Sequence, residues 1–129
     1  MPLVRISIRK GQTDEYVSAI ADGIHQAMIA TIGIPEGDRF QIITEHEPRC
    51  LIADRHYLDV SRSDEIVIVN ITMKSGRTVE MKRSLYRQAA QNLGSNPGLR
   101  AEDVMIVLSE NEPEDWSFGN GHAQLLQND

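Results

Sequence analysis

The sequence predicts an α/β fold of the α+β kind: tandem β-α-β repeats forming a four-stranded mixed sheet with two helices on one face. Three observations carry that expectation. Apolar residues alternate with a period of two in short segments that flank longer stretches with apolar spacings of three and four. The pattern of residues 2–48 recurs, without a gap, over residues 67–113. A chain of 129 residues, 40% of them hydrophobic, is also large enough to bury a core without disulfide or metal staples.

Taken in order, Val4, Ile6 and Ile8 alternate with Arg5, Ser7 and Arg9, which describes a strand with one buried face. Gly11 breaks it. Thr13 can cap a helix whose first turn holds Asp14 and Glu15, charges suited to the positive end of the helix dipole. Val17, Ile20, Ala21, Ile24, Ala27 and Met28 give that helix one apolar stripe. Residues 33–37, with two glycines and a proline, end it, and Phe40 to Thr44 make the second strand. The second copy runs through a strand from Glu65 to Met73, a helix from about Thr78 to Leu93 and a strand from Val104 to Ser109. One domain is expected, with repeat one at about 2–48, a connection at 49–64, repeat two at about 65–113 and a C-terminal tail at 114–129. Pairs such as Gly11/Gly76, Thr13/Thr78 and Asp38/Asp103 are identical across the repeat, where turn and cap chemistry is expected.

A strand-helix-strand unit gives a parallel pair with a right-handed crossover. Two units related by a local two-fold set strand three antiparallel to strand one and leave the face opposite the helices without cover. Ile66 to Val69 and Val104 to Leu108 are apolar at every residue, which suits strands buried on both faces. An oligomer is therefore expected, unless the tail folds back over the sheet.

Composition removes several classes of function. With 13 basic and 19 acidic side chains the formal charge is −6, and no basic stripe offers itself to nucleic acid. The run Ile66 to Val69 is far short of the roughly 18 to 20 apolar residues of a membrane helix, and residues 1–15 carry no signal pattern, so a cytoplasmic protein is expected. Cys50 is the only cysteine, and His25, His46, His56 and His122 show no ligand spacing. No metal and no cofactor are expected.

The candidate reactive group is Pro2. Methionine before a small residue is ordinarily trimmed, and loss of Met1 leaves Pro2 with a free secondary amine that titrates near neutrality. Strand one begins at Pro2, and its parallel neighbour begins just after Asp38. Strand three ends at the same edge, carrying Lys74 and then Arg77, and strand four delivers a tail with Trp116 and Phe118. One amine, one carboxylate, two cations and two aromatics thus converge, a set suited to a small substrate with a carboxylate and a carbonyl. Plainer readings stand beside this one: Asp38 as a turn cap like its mate Asp103, Arg77 as a solvated residue at a helix start, Arg39 as a strand-edge charge, Trp116 as core.

These residues also carry a family resemblance. Pro2 after the initiator Met, the repeated strand-helix-strand plan, the stretch Ile34 to Gln41, Ser75-Gly76-Arg77-Thr78 and Asp115-Trp116-Ser117-Phe118-Gly119 together resemble the tautomerase superfamily, and within it the malonate semialdehyde decarboxylase group. The resemblance covers essentially the whole chain. It implies a homotrimer, a catalytic amino-terminal proline at Pro2 and an assisting aspartate at Asp38. The commonest family pattern has two arginines around a proline at the end of strand three. Here Lys74 takes the first place and Arg77 follows an added glycine, as in a subset of members. Arg77 is the better carboxylate ligand, because a guanidinium binds bidentately where Lys74 offers a point charge. The family's hydrophobic wall falls on Trp116 and Phe118, with Leu125 where an aromatic often sits. The implied activity is decarboxylation of a small 3-oxo acid; keto-enol tautomerisation or hydration by the same proline, and a non-catalytic carboxylate-binding trimer, are the alternatives.

Overall fold

Two β-α-β units follow one another in the computed structural model. It describes residues 2–126; Met1, whose trimming is expected above, and residues 127–129 of the expected tail lie outside the described residues. The first unit comprises β1 (Leu3–Arg9), α1 (Asp14–Ile32) and β2 (Gln41–His46). The second comprises β3 (Val67–Lys74), α2 (Val79–Ser95) and β4 (Val104–Asn111). The sheet order is β2-β1-β3-β4, parallel within each unit and antiparallel where β1 meets β3. No helix among the described residues is long and apolar enough to cross a membrane.

The repeat read from the sequence is a repeat in space. Thr13 and Thr78, 65 positions apart, are the N-caps of α1 and α2, and each hydroxyl accepts from a backbone N–H at 3.1 Å, of Tyr16 and Met81. Ile20/Leu85, Ile24/Ala89 and Met28/Leu93, related by the same interval, are all buried where the helices meet the sheet. Gly11 and Gly76 leave their strands at φ 100° and 121°, a region that side chains with a Cβ rarely enter. Replacing the α2 cap, Thr78→Ala, is expected to cost about 1 kcal/mol, read as a lower urea midpoint with unchanged slope.

The core lies between the helices and one face of the sheet. Val4, Ile6 and Ile8 of β1 alternate into it with Val67, Val69, Ile71 and Met73 of β3, all essentially inaccessible. The opposite face carries Leu3 and Arg5 from β1, Asn70 and Thr72 from β3, and Ile42, Met105 and Val107 from the outer strands, these three each at least 40% exposed. Within one chain, β4 is thus buried on a single face. At one end residues of the 49–64 connection stand over Ile68 and Met105; at the other the tail approaches Leu3 and Thr72. The middle stays open.

Strand ends differ modestly from the expectation. β2 runs on to His46 and β4 to Asn111, because the parallel registers Arg9↔His46 and Lys74↔Asn111 continue past the last apolar residue. Polar side chains do not interrupt a backbone ladder; they end only the hydrophobic signal.

Candidate active site

The start of β1 is fixed on both sides. The Val4 N–H donates to the Phe40 carbonyl at 2.9 Å, and the register Val4↔Gln41, continued backwards, sets the buried Pro2 opposite Arg39, one residue after Asp38. On the other side Leu3↔Thr72 sets Pro2 opposite Met73, one residue before Lys74. Asp38 is delivered by a turn that α1 holds. The helix stops at Gly33 in the left-handed region, the Asp38 N–H closes on the Pro35 carbonyl at 3.1 Å, and the buried His25 places Nε2 2.8 Å from the Glu36 carbonyl. Asp38 is only 8% exposed. Arg39 engages Asp22 at 2.7 Å and Gln41 at 3.0 Å, the behaviour of a strand-edge charge.

The symmetry mate of Asp38 sets a contrast. Asp103, at the far end of the sheet, accepts the N–H and the hydroxyl of Ser63 at 2.7 and 2.6 Å and lies 3.8 Å from Arg100. It anchors the connection that enters β3. Burial, then Glu65 and Asp103, push the nearby Tyr16 phenol above its usual range. Arg9 and Arg55 also reach Asp64 at that end. At the first end the half-buried Lys74 closes β3, and Arg77, also half-buried, donates Nη1 to the Lys74 carbonyl at 3.1 Å. Its other guanidinium donors are not engaged among the described residues. Gln12, the mate of Arg77, donates to Glu65 at the entry to β3.

The tail builds a wall here. Ser75 ties the β3–α2 turn to β4, its N–H to the Asn111 carbonyl at 2.7 Å and its hydroxyl to Glu112 at 2.9 Å. A short turn over Pro113–Asp115 follows, closed by the Glu112 N–H donating to Asp115 at 2.8 Å. Trp116 then donates its indole N–H to Asn111 Oδ1 at 2.7 Å and stacks on Phe118 with centroids 5.5 Å apart and planes 8° from parallel. Phe118 meets Phe40 at 5.7 Å. Gln124 fixes the loop by accepting from the Phe118 N–H and donating to the Gly119 carbonyl.

Between wall and sheet lies a cavity of about 430 Å³, floored by Leu3, Thr72 and Asn111. Of the expected residues, Trp116 and Phe118 line it. Pro2, Asp38, Lys74 and Arg77 share this end of the sheet without lining the cavity, and Leu125, half-buried in the turn after Gln124, does not line it either. Sequence reasoning missed Phe40 as a wall residue and Leu3, Thr72 and Asn111 as floor. Strand parity could have found the floor, since all three point away from the core. The smaller cavity at the far end, about 260 Å³, is its counterpart: Ile68, Met105 and Ala53 stand where Leu3, Phe40 and Phe118 stand here. The far end also has a buried carboxylate, Asp103, with Arg100 near it and Tyr57 and Arg62 in its cavity lining. The stacked Trp116–Phe118 pair against Phe40 stands at the first end, where β1 begins.

Comparison with known proteins agrees with this geometry. Two models described as tautomerase enzyme match the chain, one over residues 38–119 and one over residues 2–58. "Probable tautomerase YusQ" of Bacillus subtilis (strain 168) is 43% identical over 127 residues, 98% of this chain and 100% of that protein. A crystal structure of malonate semialdehyde decarboxylase inhibited by 3-bromopropiolate superposes with a TM-score of 0.89 at 39% identity, covering 95% of this chain and 92% of that one. A fused 4-OT symmetric trimer superposes with a TM-score of 0.77 at 25% identity, covering 93% and 94%. With family models spanning most of its length and a relative this similar end to end, the chain is an enzyme of the tautomerase superfamily.

Proposed function

We propose that the chain is a cofactor-free decarboxylase of a small 3-oxo acid such as malonate semialdehyde, working through the Pro2 nitrogen after loss of Met1. What supports this reading is that Pro2, the buried Asp38, Lys74, Arg77 and the aromatic wall share one end of the sheet. The β1–β2 register, continued backwards, reaches Pro2 opposite Arg39, the neighbour of Asp38. The similarity to a malonate semialdehyde decarboxylase supports the substrate class. An anion beside an amine favours its ammonium form, while cations and burial favour the neutral one. With Asp38 prevailing, a protonated Pro2 donates to the aldehyde oxygen. Arg77 binds the carboxylate in a bidentate pair, with Lys74 as a further cation, and Trp116 and Phe118 present an apolar surface that favours loss of its charge. The bond between the carboxylate and the methylene carbon then breaks. Its electron pair moves into the enol, carbon dioxide leaves, and protonation at carbon gives acetaldehyde.

A keto-enol tautomerase is the second reading, favoured by the name of the 43% identical relative. There a neutral Pro2 removes a proton beside a carbonyl and returns it elsewhere. Hydration of an activated multiple bond, with Asp38 orienting water, uses the same groups. In this proposal the whole chain is one catalytic domain of a homotrimer, in which the exposed Ile42, Met105 and Val107 of the open face are covered by neighbouring copies. The exposed, unpaired Cys50 suits a reducing cytoplasm. The deciding experiment is incubation of trimmed protein with malonate semialdehyde while acetaldehyde is followed. Acetaldehyde formation supports decarboxylation; no acetaldehyde but ketonisation of phenylenolpyruvate moves the assignment to tautomerase. Failure of both, in a protein whose Pro2→Ala variant binds the same ligands, identifies a binding protein.

A further inference from the structure

Asn111 is the floor residue that touches both the wall and the cavity. It sits at the end of β4 opposite Lys74, on the open face, with its backbone carbonyl taken by the Ser75 N–H. An indole N–H can only donate, so the 2.7 Å contact with Trp116 commits Asn111 Oδ1 as the acceptor and turns the amide N–H₂ the other way. That amide has no partner among the described residues, and neither has the Thr72 hydroxyl, one strand over on the same floor. Two donors therefore come to a cavity walled by Trp116 and Phe118; Ser117 and Asp115 also line it, and the Asp115 carboxylate accepts from the Glu112 N–H at 2.8 Å.

We propose that the Asn111 amide, with the Thr72 hydroxyl beside it, is a substrate-binding donor pair that takes an oxygen of a small carboxylate lying against the aromatic wall, and so sets the preference for oxo acids over neutral carbonyl compounds. This rests on the site assigned above and adds to it a binding group distinct from Arg77. Asn111 has a second task, that of holding Trp116, and a chemical change can separate the two. In Asn111→Asp a carboxylate oxygen still accepts the indole N–H, while the donor is lost and a negative charge enters the floor.

The test uses malonate, an unreactive dicarboxylate, and the fluorescence of Trp116, the only tryptophan in the chain. Asn111→Asp should keep the emission maximum of the parent protein while weakening malonate binding at least about tenfold, as expected for replacing a donor to an anion by a like charge. Thr72→Val should weaken it by a smaller factor with emission unchanged. Asn111→Leu, which loses both donor and acceptor, should shift the emission as well. Unchanged malonate affinity in Asn111→Asp, with Trp116 emission intact, overturns the proposal. Binding is read without turnover, so parent protein that binds malonate but forms no acetaldehyde refutes decarboxylation and leaves the floor assignment standing.

Discussion

Protein that retains Met1 should decarboxylate malonate semialdehyde at least about 100-fold more slowly than trimmed protein, the scale on which a positioned acid or base contributes. An acylated Pro2 nitrogen is a tertiary amide with no basicity and no proton to donate, whereas a free chain-terminal amine titrates at about 7.7 to 8.0 before its neighbours act on it. Intact-mass measurement assigns the terminus, and kcat/KM compared between the two forms gives the ratio. Pro2→Ala in trimmed protein keeps a terminal amine and should lose less than Met1 retention does. The pH profile adds the sign. If the ammonium form works, kcat/KM is full below the amine pKa and falls as pH rises through it; if the neutral form works, activity falls as pH drops through the same value. Asp38→Asn should move that midpoint down, because the carboxylate beside the amine stabilises its charged form. Equal rates with and without Met1 would remove the amine from the chemistry altogether.

How much of this was readable from the sequence follows from which forces set each feature. The tandem plan was legible because burial imposes periods of two and of three to four, and because Thr13/Thr78 and Gly11/Gly76 mark caps and turns that backbone chemistry requires. The gathering of Pro2, Asp38 and Lys74 at one end was legible too, since strand direction and register alone decide it. The cavity was not. It forms because Asn111 orients Trp116 and because Gln124 fixes the loop that presses Phe118 on Phe40, and such side-chain bonds leave no periodic trace. The contrast between Asp38 and Asp103 was equally hidden: identical residues at matching positions differ because Ser63 approaches only one of them.

Arg77→Ala should lower kcat/KM for malonate semialdehyde by about 100-fold, mostly through KM, because a bidentate pair of charge-assisted hydrogen bonds contributes about 3 kcal/mol. Lys74→Ala should cost less than about tenfold, as a single flexible ammonium at the mouth of a site is well solvated and screened. The two cations are neighbours, and Arg77 also donates to the Lys74 carbonyl, so the comparison needs a control for the turn between β3 and α2. Melting temperature and Trp116 emission supply it, since the same turn is bound through Ser75 to the end of β4, where Asn111 holds the indole. Arg77→Lys separates charge from geometry: it keeps the cation and loses the fork, and an intermediate loss of about tenfold is expected. A larger loss in Lys74→Ala than in Arg77→Ala, both folded, reverses the assignment. The carboxylate would then be held by a point charge at the strand end, and substrate orientation would have to come from the floor residues Thr72 and Asn111.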